Sequence, residues 1–552
     1  MINQSIQAII ENALKSNWNK DALTDYKSST LQFRDVALNI AKLHILFEET
    51  GVVPGDRIAI CDRNSSNWAV TCLAAMSYGA VVVPILHEFK ADNVHNIVNH
   101  SESKLLFCGE QIWENLNEAS MPDALGIITM EQFQVVVSRD PKLDETRDHL
   151  NELFGKKYPR DFSKDDVHYK SRTDANALCL INYTSGSTGF SKGVMIPYRA
   201  LENNHDFAET VLPYLHAGDT VVSMLPMAHM YGFAFEFFYE FSIGMHIYFL
   251  TRLPSPKIIF QALQEVKPRI VVAVPLVVEK IIKKNVLPKL ETQPMKALLK
   301  LPIINDQIRK KICDQLVSSF GGNFYEVILG GAAFNKEIEQ FLYSVKFPFT
   351  VGYGATECAP IIGYRDWKSF VPGSCGQAAY GMEVKILSSD PENVPGEIVT
   401  RGPNVMLGYY KNEKLTEETI DKDGWLYTGD LGVMDKDGNI FIKGRSKSMI
   451  LGPSGQNIYP EEIEELINNM PYVSESVVIS EKDKIVALVY PDFDETLKAG
   501  LNEEQIAVEM EKNRKEVNQA LPAYEQITQI RIHTEEFEKT PKKSIKRFLY
   551  QK

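Results

Sequence analysis

Between Tyr183 and Val194 the chain reads YTSGSTGFSKGV, directly after an apolar run from Ala177 to Asn182. The residue types suit a phosphate group. Gly186, Gly189 and Gly193 let backbone N–H groups converge on an anion, Thr184, Ser185, Ser187 and Thr188 add hydroxyl donors, and Lys192 supplies a point charge. Two loops with other chemistry do not fit this text. A Walker A loop requires GxxxxGK[ST], but here Ser191 precedes Lys192 and Gly193 follows it. A nucleophile elbow requires GxSxG, which is absent. Loops rich in serine and glycine are also common on solvated surfaces, so the elements around this one must decide its role.

Those elements read as an α/β sheet. From Gly51 the segment GVVPGDRIAICDRNSSNWAVTCLAAMSYGAVVVPI alternates β-branched runs with an Ala-rich amphipathic stretch, a strand–helix–strand pattern. Short apolar runs recur at Ala177 to Asn182, Thr220 to Leu225, Arg269 to Val274 and Glu326 to Leu329. Each is bounded by polar, Pro or Gly residues, as buried strands are. Residues from about Arg139 to Thr173 are charged without clear periodicity, which predicts a loop-rich surface connection. Near Gly381 the texture changes to brief strands, MEVKIL, GEIVTRG and GNIFIKGR, joined by Asp- and Gly-rich turns. After Arg445 come the acidic helix PEEIEELINN, the strand pair SESVVIS and KIVALVY, and a charged helix over Asn502 to Gln519, a set sufficient for a small α+β domain.

Composition sets the outer bounds. A chain of 552 residues exceeds what one core usually organises, and 44% hydrophobic with 24% charged residues is an ordinary globular balance. With 59 Lys and Arg against 72 Asp and Glu the net charge is −13, which argues against a nucleic-acid binder held by phosphate neutralisation. Seven widely spaced cysteines without a CxxC pair suggest reduced thiols, and the first residues lack a secretory pattern, so a cytoplasmic location is expected. The greasiest stretch, Gly232 to Leu250, is interrupted by Glu236, Glu240 and His246 and reads as buried core.

The phosphate-type loop is followed, in order, by LPMAHMYG (225–232), GGAA (330–333), VGYGATECAP (351–360), GEIVTRGPNVMLGYYKN (396–412), DGWLYTGDLG (423–432), GRSKSMI (444–450) and GQNIYPEEIE (455–464). Each is weak alone, but the ordered set is specific. On these motifs the chain resembles the adenylate-forming (AMP-binding) superfamily, and within it the acyl-CoA synthetases, most of all the long-chain fatty-acid CoA ligases. The resemblance implies an α/β fold with a large N-terminal adenylation domain of several subdomains over 1–444, including a β-subdomain from about 381 to 444, and a small mobile α+β domain over 445–552.

It also implies roles. Such an enzyme activates a carboxylic acid with ATP and Mg²⁺ and passes it to coenzyme A, so charge gathers at the α-phosphate as pyrophosphate leaves. Lys192 and residues 184–189 would hold the triphosphate, Thr184 and Glu357 a Mg²⁺, and Thr356 the α-phosphate. Gly330, Gly331, Ala332, Gly352, Tyr353 and Gly354 would frame adenine, Asp430 the ribose, and Arg445 ribose or phosphate. His229, Tyr231 and Gly354 would line the acid, with the Phe-rich run 233–241 beside them. Lys447 matches the hinge, and Ser454, Gly455 and Gln456 the coenzyme A path. Partners are therefore small molecules; membrane-surface contact stays open, and oligomeric state is not legible.

One departure stands out. The family places a lysine near the C-terminus after a Thr-Pro pair, but TPKKSIKRFLY puts Ser544 in that register, with Lys543 and Lys546 on either side. Either lysine is a candidate for the catalytic role, Lys543 preferred. Two other functions follow from the same motifs: an acyl-AMP ligase that loads a carrier protein, or a nucleotide-binding homologue without turnover.

Overall fold

Arg57–Cys61 and Val81–Ile85 are strands of mostly β-branched residues whose interiors are buried on both faces. The Ala-rich segment between them is the helix Ser66–Tyr78, started by Ser65, whose hydroxyl accepts the Trp68 N–H, and ended by Gly79 at φ 89°, a conformation that suits glycine. The structure is a computed structural model that describes residues 4–172, 174–185, 191–251, 255–285, 302–451, 456–481, 484–540 and 545–551. They divide into two units, one of Met1–Thr184, Ser191–Val384 and Thr400–Leu426, the other chiefly of Lys385–Val399 and Tyr427–Lys552.

In the first unit an eight-stranded sheet runs in the order Gly408–Tyr409, Ser191–Pro197, Leu178–Ser185, Val81–Ile85, Arg57–Cys61, Ser103–Cys108, Gly126–Thr129, Gln134–Ser138. Its centre is parallel. A second row of parallel strands comprises Thr220–Ser223, which bridges through Val221 to Ile270, then Val271–Ala273, Val327–Leu329 and Phe349–Val351. The predicted apolar runs thus fold as strands: three are trimmed by one to three residues, while that from Ala177 begins one residue later and runs on to Ser185. The Gly232–Leu250 stretch is core, and none of the described helices is long and apolar enough to cross a membrane.

The segment 139–173 differs from expectation. Pro141–Lys157 is a helix, begun by the Asp140 carboxylate accepting the Lys142 N–H with Pro141 in the first turn. Only Leu143 and Thr146 are buried along it, while Lys157 pairs with Glu48 at 2.5 Å. One narrow edge faces the core, so no apolar stripe was there to be read.

The second unit holds most of the sheet Glu383–Leu387, Gly396–Arg401, Leu426–Met434, Ile440–Arg445, the first three of these strands each having one or two residues assigned to the first unit. It also holds the three-stranded sheet Val473–Glu481, Lys484–Pro491, Ile527–Ile532. The helices Pro460–Asn468 and Glu503–Ala520 bury Ile463, Ile467 and Met510 in a core with Val478, Ala487 and Ile527.

Several carboxyls are buried deep. Glu240 has neither oxygen hydrogen-bonded among the described residues, and burial pushes it up to about 8. Burial pushes Glu202 and Glu326 up to about 7, against the pull of the Ile6 N–H on Glu202 and of the Tyr214 and Tyr364 hydroxyls on Glu326. A carboxyl harder to ionise when folded binds its proton more tightly in that state. Its contribution to stability is full below the usual carboxylate range and is lost as pH rises toward 8. The melting temperature should therefore fall by several degrees between pH 6 and pH 8.5, and Glu240→Gln should flatten that fall. Superimposable melting curves for the two proteins across this range would place the pH dependence elsewhere.

Candidate active site

All four strands of the second row run in one direction, so their carboxyl ends lie on the same side of the sheet, where open α/β sheets bind ligands. Three motifs leave from there: LPMAHMYG after Ser223, GGAA after Leu329 and GYGATE after Val351. The last two adjoin because Leu329 pairs with Val351, and the Gly352 N–H donates to the Leu329 carbonyl at 2.8 Å. Gly354 has no room for a side chain, since a Cβ there would meet the Pro360 carbonyl oxygen at 2.4 Å. Gly330 is pressed less closely: a Cβ would come within 3.1 Å of the Tyr231 ring, whose hydroxyl donates to the Ile328 carbonyl at 3.1 Å. Gly331 sits at φ 82°, and Tyr353 and Thr356 are buried.

The LPMAHMYG loop is held by three side chains to which no motif assigns a role. Glu236 accepts the N–H groups of Met224 (3.0 Å) and Leu225 (2.7 Å). Asn64 accepts the Met227 N–H at 2.8 Å and donates to the Leu225 carbonyl at 2.6 Å, and Asn182 donates to the Ala228 carbonyl at 2.9 Å. His229 follows, its Nδ1 accepting the Tyr231 N–H at 3.2 Å, which leaves the ring proton on Nε2. Glu236 lies in a π-helical turn, Ala234–Phe238, and burial raises its carboxyl well above the usual range against the pull of those two N–H groups. Phe233, Phe237, Phe238 and Phe241 form a buried apolar wall, Phe233 packing ring to ring with Phe237 and Phe238, and Phe237 with Phe241.

Lys192 and Glu357 are brought to one place by Tyr409, a residue of the GYYKN run to which the motifs assign no role. Tyr409 joins the edge of the eight-stranded sheet beside Val194. Its hydroxyl donates to Glu357 Oε1 at 2.9 Å, and the Lys192 ammonium stands 5.2 Å from its ring centroid. The Glu357 carbonyl accepts the Met406 N–H at 2.9 Å, which ties the GYGATE turn to the same segment. Thr184, half-buried, lies near the end of the strand Leu178–Ser185, next to the strand that carries Lys192. A carboxylate and a hydroxyl are hard oxygen donors, the kind Mg²⁺ takes. Of the phosphate-type loop, Gly186, Ser187, Thr188 and Gly189 lie outside the described residues, and Ser185 is described only as a strand residue.

In the second unit Asp430 is buried and pairs in register with Arg445, whose Nε lies 2.7 Å from the Asp430 carboxylate while its own side chain is largely exposed. Lys447 is exposed in the turn that follows, where the Ser448 and Met449 N–H groups both donate to the Arg445 carbonyl at 3.1 Å. Gln456 is exposed; Ser454 and Gly455 lie outside the described residues, as do Lys543 and Ser544. Lys546 is half-buried, with its ammonium 3.4 Å from Glu538 and its N–H donating to the Glu538 carbonyl at 2.8 Å.

Glycine-lined turns at the carboxyl ends of parallel strands, beside a lysine and a carboxylate on one tyrosine, define a nucleotide-handling α/β enzyme. Residues 10–410 match the family described as AMP-binding enzyme and residues 447–552 its C-terminal domain, so the chain belongs to the AMP-binding enzyme family. Among curated proteins it is similar to the long-chain-fatty-acid–CoA ligase ACSBG2 of Homo sapiens, at 24% identity over 81% of this chain and 69% of that protein. It is also similar to a chloroplastic long-chain-fatty-acid–[acyl-carrier-protein] ligase, AEE15 of Arabidopsis thaliana, at 27% identity over 81% and 70% of the two chains. The fold matches the crystal structure of the anthranilate CoA ligase AuaEII in complex with anthranoyl-AMP, with a TM-score of 0.77 at 18% identity over 100% and 97% of the two chains.

Proposed function

We propose that the protein is an acid–thiol ligase that activates a medium- or long-chain fatty acid with ATP and transfers the acyl group to coenzyme A. In the first step a carboxylate oxygen attacks the α-phosphorus, forming acyl-AMP and expelling pyrophosphate. In the second the thiolate attacks the acyl carbonyl, forming the thioester and expelling AMP. The observation that carries this reading is the convergence of Lys192 and Glu357 on Tyr409. A cation and a carboxylate held together suit a triphosphate and its metal, and little else that a carboxylic acid needs.

Lys192 and Thr184 would bind and orient the triphosphate, with Thr356 at the α-phosphate. Thr184 and Glu357 would hold Mg²⁺, which neutralises phosphate charge when bound. His229, with its proton on Nε2, would donate toward the reacting oxygens, while the wall of Phe233, Phe237, Phe238 and Phe241 excludes water and suits an alkyl chain. Tyr353 and the 330–332 turn would take the base, Asp430 the ribose and Arg445 a phosphate. Lys447 would be the hinge between half-reactions, and Ser454, Gly455 and Gln456 would face coenzyme A.

Support for a fatty acid comes from the curated relatives' names; the likeness to an anthranilate ligase supports the fold alone. A second reading, transfer to a carrier-protein thiol, is favoured by the plant relative. Purified protein given ATP, Mg²⁺ and a panel of acids should release pyrophosphate only when an acid is present, fastest with fatty acids of eight carbons or more (~8, the length at which an alkyl chain buries several kcal/mol). Thioester formation and AMP release with free coenzyme A against carrier protein separate the two acceptors. Silence across the panel would sink the adenylation claim.

A further inference from the structure

We infer that Tyr409 is a positioning residue that sets both the phosphate-binding cation and the metal-binding carboxylate through opposite parts of one side chain. The inference rests on the function proposed above and assigns a role to a residue that its motifs leave without one.

Three observations carry it. Gly408–Tyr409 is a two-residue strand that pairs antiparallel with the strand of Lys192, Tyr409 facing Val194. Further backbone bonds lock it in place: the Tyr410 N–H donates to the Gly193 carbonyl at 2.7 Å, the Leu407 N–H to the Met195 carbonyl at 2.9 Å, and the Tyr409 N–H to the Thr416 hydroxyl at 2.9 Å. The ring is thus fixed before any ligand arrives.

From that fixed ring the two functional groups are reached in different ways. The ring face attracts the Lys192 ammonium through the quadrupole, at a distance within the useful range of about 6 Å. The hydroxyl donates to one oxygen of Glu357, which fixes the carboxylate's rotation and directs its second oxygen. Tyr409 is 5% exposed and both partners are half-buried, so screening by bulk water is reduced. A lysine on a flexible four-carbon stem and a glutamate in a tight turn would otherwise each sample several rotamers. The tyrosine removes that freedom from both at once.

The two contacts can be separated by substitution. Tyr409→Phe keeps the ring and deletes the hydroxyl; Tyr409→Leu deletes both. Each protein is first melted to establish that it folds, and Mg²⁺ is then titrated at fixed ATP while acid-dependent pyrophosphate release is followed. Tyr409→Phe should raise the half-activating Mg²⁺ concentration on the order of tenfold with the KM for the acid unchanged. Tyr409→Leu should show the same Mg²⁺ shift together with a further rise of about fivefold in the KM for ATP. An unchanged Mg²⁺ requirement in Tyr409→Phe would overturn the inference, as would equal falls in every parameter, which a merely structural residue would give. Calorimetric titration of ATP binding against Mg²⁺ reads the same shift without turnover. If the wild-type protein binds Mg·ATP but adenylates no acid, the proposed function fails while this titration still decides Tyr409. A wild-type protein that binds no Mg·ATP overturns both.

Discussion

Alanine in place of Lys192 should leave a folded protein whose acid-dependent pyrophosphate release is slower by a factor of ~100 to 1,000, the range for removing one preorganised donor from a developing charge. The side chain is half-buried and lies over a ring, outside the hydrophobic core, so its loss creates no large cavity and the melting temperature should move by only a few degrees. Lys192→Arg should recover part of the rate, because the charge returns while its point-like geometry does not. Glu357→Ala should fall as far by another route. It removes the metal's carboxylate and leaves the buried Tyr409 hydroxyl without its acceptor. Its rate loss should shrink as Mg²⁺ is raised, whereas that of Lys192→Ala should not. Turnover within a few-fold of wild type in either variant would refute the corresponding role.

The second large effect concerns the C-terminal lysines. Lys543→Ala should slow acyl-AMP formation by about 100-fold while leaving thioester formation from preformed acyl-AMP unchanged, since only the first step needs an added cation on the attacking carboxylate and α-phosphate. Lys546→Ala should do far less. Lys546 already forms an ion pair with Glu538, and its N–H donates to the same residue's carbonyl, so its charge has a local structural partner. Single-turnover measurement of each half-reaction distinguishes the two lysines. A large selective loss in Lys546→Ala with none in Lys543→Ala would reverse the assignment, and loss in neither would mean that adenylation depends on neither of these two lysines.

Strands were the easiest elements to read, because a run buried on both faces is apolar throughout and is bounded by turn residues, as Val271–Ala273 and Val327–Leu329 are. The helix Pro141–Lys157 went unread because a helix that buries one narrow edge has no periodicity to find, although Asp140 and Pro141 signalled its start. The motifs gave the kinds of residue at the site but not their arrangement. Asn64 and Asn182 look in sequence like unremarkable polar residues and Glu236 only like an interruption of an apolar run, and only the fold shows that all three bind the backbone of one loop. Tyr409 lies 217 residues from Lys192, and the strand pairing that joins their segments has no local signature. GYYKN could be quoted as a motif, yet nothing in its letters says what the first tyrosine touches.

The two-residue strand Gly408–Tyr409 also closes one border of the eight-stranded sheet. Without it, the backbone of Ser191–Pro197 would present an open row of donors and acceptors to other chains in solution. Shortened versions of this protein that stop before Gly408 are thus expected to clump during expression, and a workable catalytic core for engineering must extend through Tyr410.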